Sequence, residues 1–218
     1  MPNLFTKAAA EFVGTALLVC IVVGSGIMGT NLSSDMAVAL LVNTASTVFG
    51  LALLILVLGP ISGAHFNPAV TLVMLAKKSL SMKEALAYIP AQIAGAITGA
   101  IGANVMFDLA ALQVSQKERI TSGTFLGEVI ATAGLIVVIL VFVSRKNDTH
   151  VALAVAAWIG SAYFFTSSTS FANPAVTVGR IFSDSFAGID PASVAPFVLA
   201  QLIGAAVGVL FAKPLVRN

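Results

Sequence analysis

Ile61-Ser62-Gly63-Ala64-His65-Phe66-Asn67-Pro68-Ala69-Val70-Thr71 decides the fold of this chain, because its last five residues return as Asn173-Pro174-Ala175-Val176-Thr177. Asparagine is among the best N-cap residues, and proline suits the first helical position, where its missing N–H would be unpaired anyway. Each copy therefore reads as a helix start. Two further pairs flank them in the same order. Ala10-Glu11-Phe12-Val13-Gly14-Thr15-Ala16 is matched by Gly127-Glu128-Val129-Ile130-Ala131-Thr132-Ala133, and Ala91-Gln92-Ile93-Ala94-Gly95 by Ala200-Gln201-Leu202-Ile203-Gly204. The chain nearly repeats itself.

The solvent of this repeat is a bilayer. Of 218 residues, 58% are hydrophobic and 9% charged, where a soluble domain carries about 25% charged residues. Six stretches hold the roughly 20 apolar residues that a membrane span needs: 8–29, 36–59, 83–107, 122–144, 149–168 and 193–214. A net charge of +2 is too small and dispersed for a nucleic-acid footprint, and one cysteine, Cys20, excludes an internal disulfide framework. Two histidines leave little for a metal, and no cofactor is expected. Lys and Arg gather on one side. With both termini cytoplasmic, Lys7, Lys77, Lys78, Lys83, Arg145, Lys146, Lys213 and Arg217 lie inside and Lys117, Arg119 and Arg180 outside.

Each repeat, about 5–110 and 121–216, holds three spans, so the second inserts upside down relative to the first. Inverted repeats of this kind place their transport site near the midplane, where broken helices meet. The apolar runs after the motifs, about 70–76 and 176–182, are too short to cross and read as re-entrant half-helices. Each asparagine oxygen can cap its own half-helix while the amide hydrogens face a lumen. Two facing N-termini, each carrying about +0.5 of a charge, disfavour cations and still offer hydrogen bonds to neutral solutes.

With these motifs the chain resembles the aquaporin, or major intrinsic protein, family along essentially its whole length. The resemblance implies an all-α membrane protein: a bundle of six transmembrane helices plus two re-entrant half-helices, forming one channel domain over 1–218. It also implies a homotetramer with one pore per subunit, passing water or small uncharged solutes downhill, with Asn67, Pro68, Ala69, Asn173, Pro174 and Ala175 as the pore motifs.

One departure from the family bears on selectivity. Most members carry an arginine three residues after the second motif asparagine, and here that residue is Val176. Arg180, about one helical turn later, is not its equivalent by spacing. Counting back from the motifs, as the resemblance suggests, puts Thr47, Ser161 and Ser170 beside Val176. That makes a small filter without cation or aromatic wall, with Phe49 the alternative to Thr47. The pattern resembles a bacterial subgroup found with arsenic-resistance genes, which implies passage of arsenous acid, methylated arsenicals or glycerol and an inner-membrane location.

Glu11 and Glu128 are ionisable residues inside spans, where such groups are functional candidates. No chain of further ionisable residues follows them as a proton relay would need. They read as acceptors for backbone N–H groups of the re-entrant loops, with His65 as a loop-supporting residue. Gly95 with Gly99 and Gly204 with Gly208 make small-xxx-small faces, expected to cross the third span against the sixth. Trp158 and Tyr163 read as interfacial anchors. The competing functions are a water-selective channel and an ion-coupled secondary transporter, for which the spans offer few ionisable groups. No nucleophile–base pair or phosphate-binding loop suggests an enzyme.

Overall fold

The computed structural model describes residues 2–145 and 148–216. Among them every regular element is helical: α1 Leu4–Leu32, α2 Met36–Ser62, α3 Pro68–Ala76, α4 Met82–Met106, α5 Ser122–Ser144, α6 Asp148–Phe165, α7 Pro174–Gly179 with a 3₁₀ turn Arg180–Phe182, and α8 Pro191–Ala212. Five helices (α1, α2, α4, α5 and α8) are long and apolar enough to cross a membrane. α6, 18 residues long, is the sixth long element. α3 and α7, of nine and six residues, are the short helices expected after the two motifs.

Local chemistry sets the ends. Asn3, Asp35, Ser81, Thr121 and Asp190 each cap a long helix through a side-chain oxygen. Asn67 and Asn173 do the same for α3 and α7, with proline at the first position. Lys7 and Glu84 bridge the starts of α1 and α4 at 2.6 Å, which marks the end of the bundle carrying the N-terminus. The opposite end is closed by the 107–121 connector. Ser115 N donates to Ile181 O, Asp190 N to Lys117 O, and Gln116 N to Asp184 Oδ1.

The glycine faces do not cross the third span against the sixth. A methyl on Gly95 would fall 2.3 Å from Phe12 O and one on Gly99 2.1 Å from Ala16 O, so α4 packs on α1. Gly204 and Gly208 bring α8 equally close to Val129 O and Ala133 O of α5. The small residues join the outer helices of each half, because at such separations backbone meets backbone with no room for a side chain. Trp158 is not an interfacial anchor either. Its Nε1 donates to Ala131 O at 2.8 Å and its ring lies over Gly134.

Candidate functional site

The loops before the two motifs share one unusual backbone. Gly63, Ala64 and Phe66 have φ of 91°, 49° and 48°, and Thr169, Ser170 and Ala172 have 60°, 51° and 47°. Non-glycine residues rarely occupy this left-handed region, at about 1–3 kcal/mol each, and such strain persists only where the surroundings impose it. Here a buried carboxylate imposes it in each half. Glu11 accepts from His65 N (2.9 Å), Phe66 N (2.7 Å), Ser62 Oγ (2.6 Å) and Gln92 Nε2 (2.8 Å). Glu128 accepts from Phe171 N (2.8 Å), Ala172 N (2.8 Å) and Gln201 Nε2 (2.7 Å). Gln92 and Gln201 each donate also to a threonine of their half-helix, Thr71 and Thr177.

The motifs meet head to head. Asn67 Oδ1 accepts from Ala69 N at 2.9 Å while its Nδ2 donates to Ala172 O at 2.8 Å. Asn173 mirrors this, with Oδ1 accepting from Ala175 N at 3.0 Å and Nδ2 donating to Phe66 O at 2.8 Å. Each asparagine thus caps its own half-helix and ties itself to the other half's loop. One hydrogen of each Nδ2 is left over, since the amide carries two.

Both asparagines line a cavity of about 110 Å³ between the two halves. Its lining is largely aliphatic, with Leu18, Val22, Leu51, Ile55, Leu135, Ile139, Val155 and Ile159. Among these aliphatic groups lie the polar ones of Thr47, His65, Asn67, Asn173, Tyr163, Ser170 and Arg180. The lumen is therefore amphipathic. Ser170 Oγ is buried with no hydrogen-bond partner among the described residues. His65 Nδ1 lies 3.1 Å from Thr71 Oγ1, which ties its ring to α3.

Thr47, Ser170 and Val176 all line this cavity. Phe49 is 75% exposed on the outside of α2. Ser161 departs from expectation: it is exposed on α6 and absent from the lining. Val151, Val155, Ile159 and Tyr163 form the lining stripe of that helix at four-residue spacing, and two further residues turn Ser161 about 200° round. Tyr163 takes the place, 4% exposed, with its hydroxyl 3.3 Å from Thr47 Oγ1. The cavity wall also holds Phe66, Phe171 and Arg180.

Comparisons with known proteins agree with this architecture. The family described as Major intrinsic protein matches residues 2–167. Aquaglyceroporin AqpS of Rhizobium meliloti is 44% identical, over 99% of this chain and 95% of its own length. Aquaporin NIP2-1 of Arabidopsis thaliana is 29% identical, over 97% of this chain and 76% of its own. The X-ray structure of the aquaglyceroporin from Plasmodium falciparum superposes with a TM-score of 0.73 at 24% identity, covering 97% of this chain and 95% of that one.

Proposed function

Because the chain belongs to the major intrinsic protein family, whose aquaglyceroporins are passive channels and not enzymes, we propose that its lumen conducts arsenous acid, methylated arsenicals and glycerol-like solutes in addition to water. The observation that carries this reading is the amphipathic lumen with Val176 in its wall. A polyol or a trihydroxy acid presents hydroxyls to one side and an apolar or hydroxyl-poor face to the other. The polar groups of the lining, His65, Asn67 and Asn173 among them, meet the first, and its aliphatic side chains meet the second. Desolvation in such a channel is offset only for a solute that can do both. Passage of a neutral solute needs no coupling ion. The similarity to a protein named aquaglyceroporin over nearly its whole length supports the same solute range.

In this reading Asn67, Pro68, Ala69, Asn173, Pro174 and Ala175 form the central constriction. Thr47, Ser170 and Val176 belong to the selectivity filter, and Glu11, Glu128 and His65 support the loops. The protein works as a homotetramer in a bacterial inner membrane with both termini cytoplasmic. That orientation follows from the Lys and Arg distribution and puts the connector end outside.

A narrower, water-selective reading has one observation in its favour: the Tyr163 hydroxyl stands close to Thr47 where both line the lumen. Stopped-flow on proteoliposomes separates the two. Uptake of glycerol and arsenous acid well above empty vesicles supports the broad channel. Osmotic water flow alone leaves the water-selective one.

A further inference from the structure

The passage of neutral solutes leaves one lumenal group unexplained. Arg180 lies four residues after Val176, about one turn nearer the connector end, and is 3% exposed while lining the lumen. Its Nε donates to Ala187 O, and its guanidinium carbon sits 3.4 Å from the centre of the Phe171 ring. Among the described residues neither terminal nitrogen makes a hydrogen bond, although neither is sealed off. Four N–H groups are thus left for whatever occupies the lumen.

No carboxylate pairs with it directly among the described residues, although Glu128 lies near enough to act on its charge. The salt bridge found among the described residues is Lys7–Glu84, at the other end of the bundle. The neighbours of Arg180 add to its field. Lys117 Nζ donates to Phe186 O, and Arg119 donates to Phe186 O and Gly188 O. Three cations therefore bind the carbonyls of one segment, 186–188, and only Arg180 also faces the lumen. A guanidinium held this deep without a directly paired carboxylate is costly. The ring of Phe171 and the Ala187 carbonyl offset part of that cost.

We propose that Arg180 is a specificity-determining residue of this channel. It supplies from one turn further along the positive barrier to inorganic cations that Val176 does not, and its free N–H groups bind the oxygens of neutral solutes in transit. The pore then admits polar solutes without admitting Na⁺ or K⁺. This rests on the reading of the lumen as a pore.

The test compares wild type, Arg180→Gln and Arg180→Lys in proteoliposomes, recording osmotic water flow and K⁺ leak from the same preparations. Arg180→Gln is expected to raise the ratio of K⁺ leak to water flow about tenfold or more, because a unit positive charge is lost at the wall. Arg180→Lys is expected to leak like wild type. An unchanged ratio in Arg180→Gln, or an equal leak in both variants, overturns the proposal. Wild type without water flow above empty vesicles overturns the channel reading instead. Should Arg180→Gln not assemble, Arg180→Cys in a Cys20→Ser background is treated with a cationic or a neutral methanethiosulfonate. Recovery of the barrier with the cationic reagent alone supports the assignment, and equal effects of both reagents overturn it.

Discussion

The phenol oxygen of Tyr163 lies 3.3 Å from Thr47 Oγ1, joining α6 to α2 where both side chains line the lumen. Replacing Tyr163 by alanine removes the ring and frees the threonine hydroxyl. Tyr163→Ala is expected to raise the ratio of glycerol to water permeability several-fold, about the effect of 1 kcal/mol on a barrier. Stopped-flow light scattering measures both fluxes. A constant ratio would move the constriction away from this pair.

Val176→Arg places a second guanidinium one turn from Arg180 on the same side of α7, where like charges repel. The added side chain narrows the lumen. Arsenous acid and glycerol flux should fall about tenfold or more, with part of the water flow spared. Passage of both solutes at the wild-type rate would remove Val176 from the constriction.

Glu128→Ala leaves Phe171 N, Ala172 N and one Gln201 donor without their acceptor in a fully buried position. Each stranded donor costs about 1–3 kcal/mol. The detergent-solubilised variant should therefore show a markedly lower melting temperature. Glu128→Gln, which keeps one carbonyl acceptor, should fall between it and wild type. Equal melting of all three would strip the carboxylate of its part in holding the loop.

On α4, Gly99 and Gly102 make a matched pair for testing the helix seam. A methyl on Gly99 would press to 2.1 Å from Ala16 O, whereas one on Gly102 would meet nothing within 4 Å. Gly99→Val is expected to destabilise by about 3 kcal/mol or more through forced separation of α1 and α4. Gly102→Val should stay within about 1 kcal/mol. Melting in detergent distinguishes the two.

Lys117, in the connector outside the spans, has its pKa pushed down to about 8 by burial and by the positive charges of Arg119 and Arg180. The unfolded chain keeps the ordinary lysine value of about 10.4. Between those values the unfolded state binds the extra proton, so stability rises with pH across that window and its penalty is fully present below pH 8. Relative to Lys117→Met, the wild-type melting temperature should climb between pH 8 and 10. Parallel pH profiles would show that the lysine does not titrate there.

The helical plan was readable from the sequence because a bilayer demands long apolar runs and because two Asn-Pro-Ala starts cannot both begin full spans. The Glu11 and Glu128 positions were readable for a related reason: a carboxylate inside hydrocarbon needs donors, and the N–H groups of the re-entrant loops need acceptors. The lumen wall was less legible. Counting back from Asn173 assumes a fixed loop length, and an error of two residues swings a helical side chain almost to the opposite face. Ser161 was lost and Tyr163 missed in that way, although the Val151, Val155, Ile159, Tyr163 stripe carried the information. Arg180 was hidden differently. Nothing in its spacing from Asn173 says that its side chain folds over Phe171 with its terminal nitrogens left free.

The crossed bonds between Asn67 and Ala172 O and between Asn173 and Phe66 O impose an order on biosynthesis. Ala172 is made 105 residues after Asn67, a delay of about 5–20 s at usual elongation rates. Glu11, by contrast, precedes its loop, so the carboxylate that shapes 63–66 is already in the membrane when that loop emerges. The first half-helix can thus be set before its partner exists, and arrival of the second motif locks two preformed hairpins together.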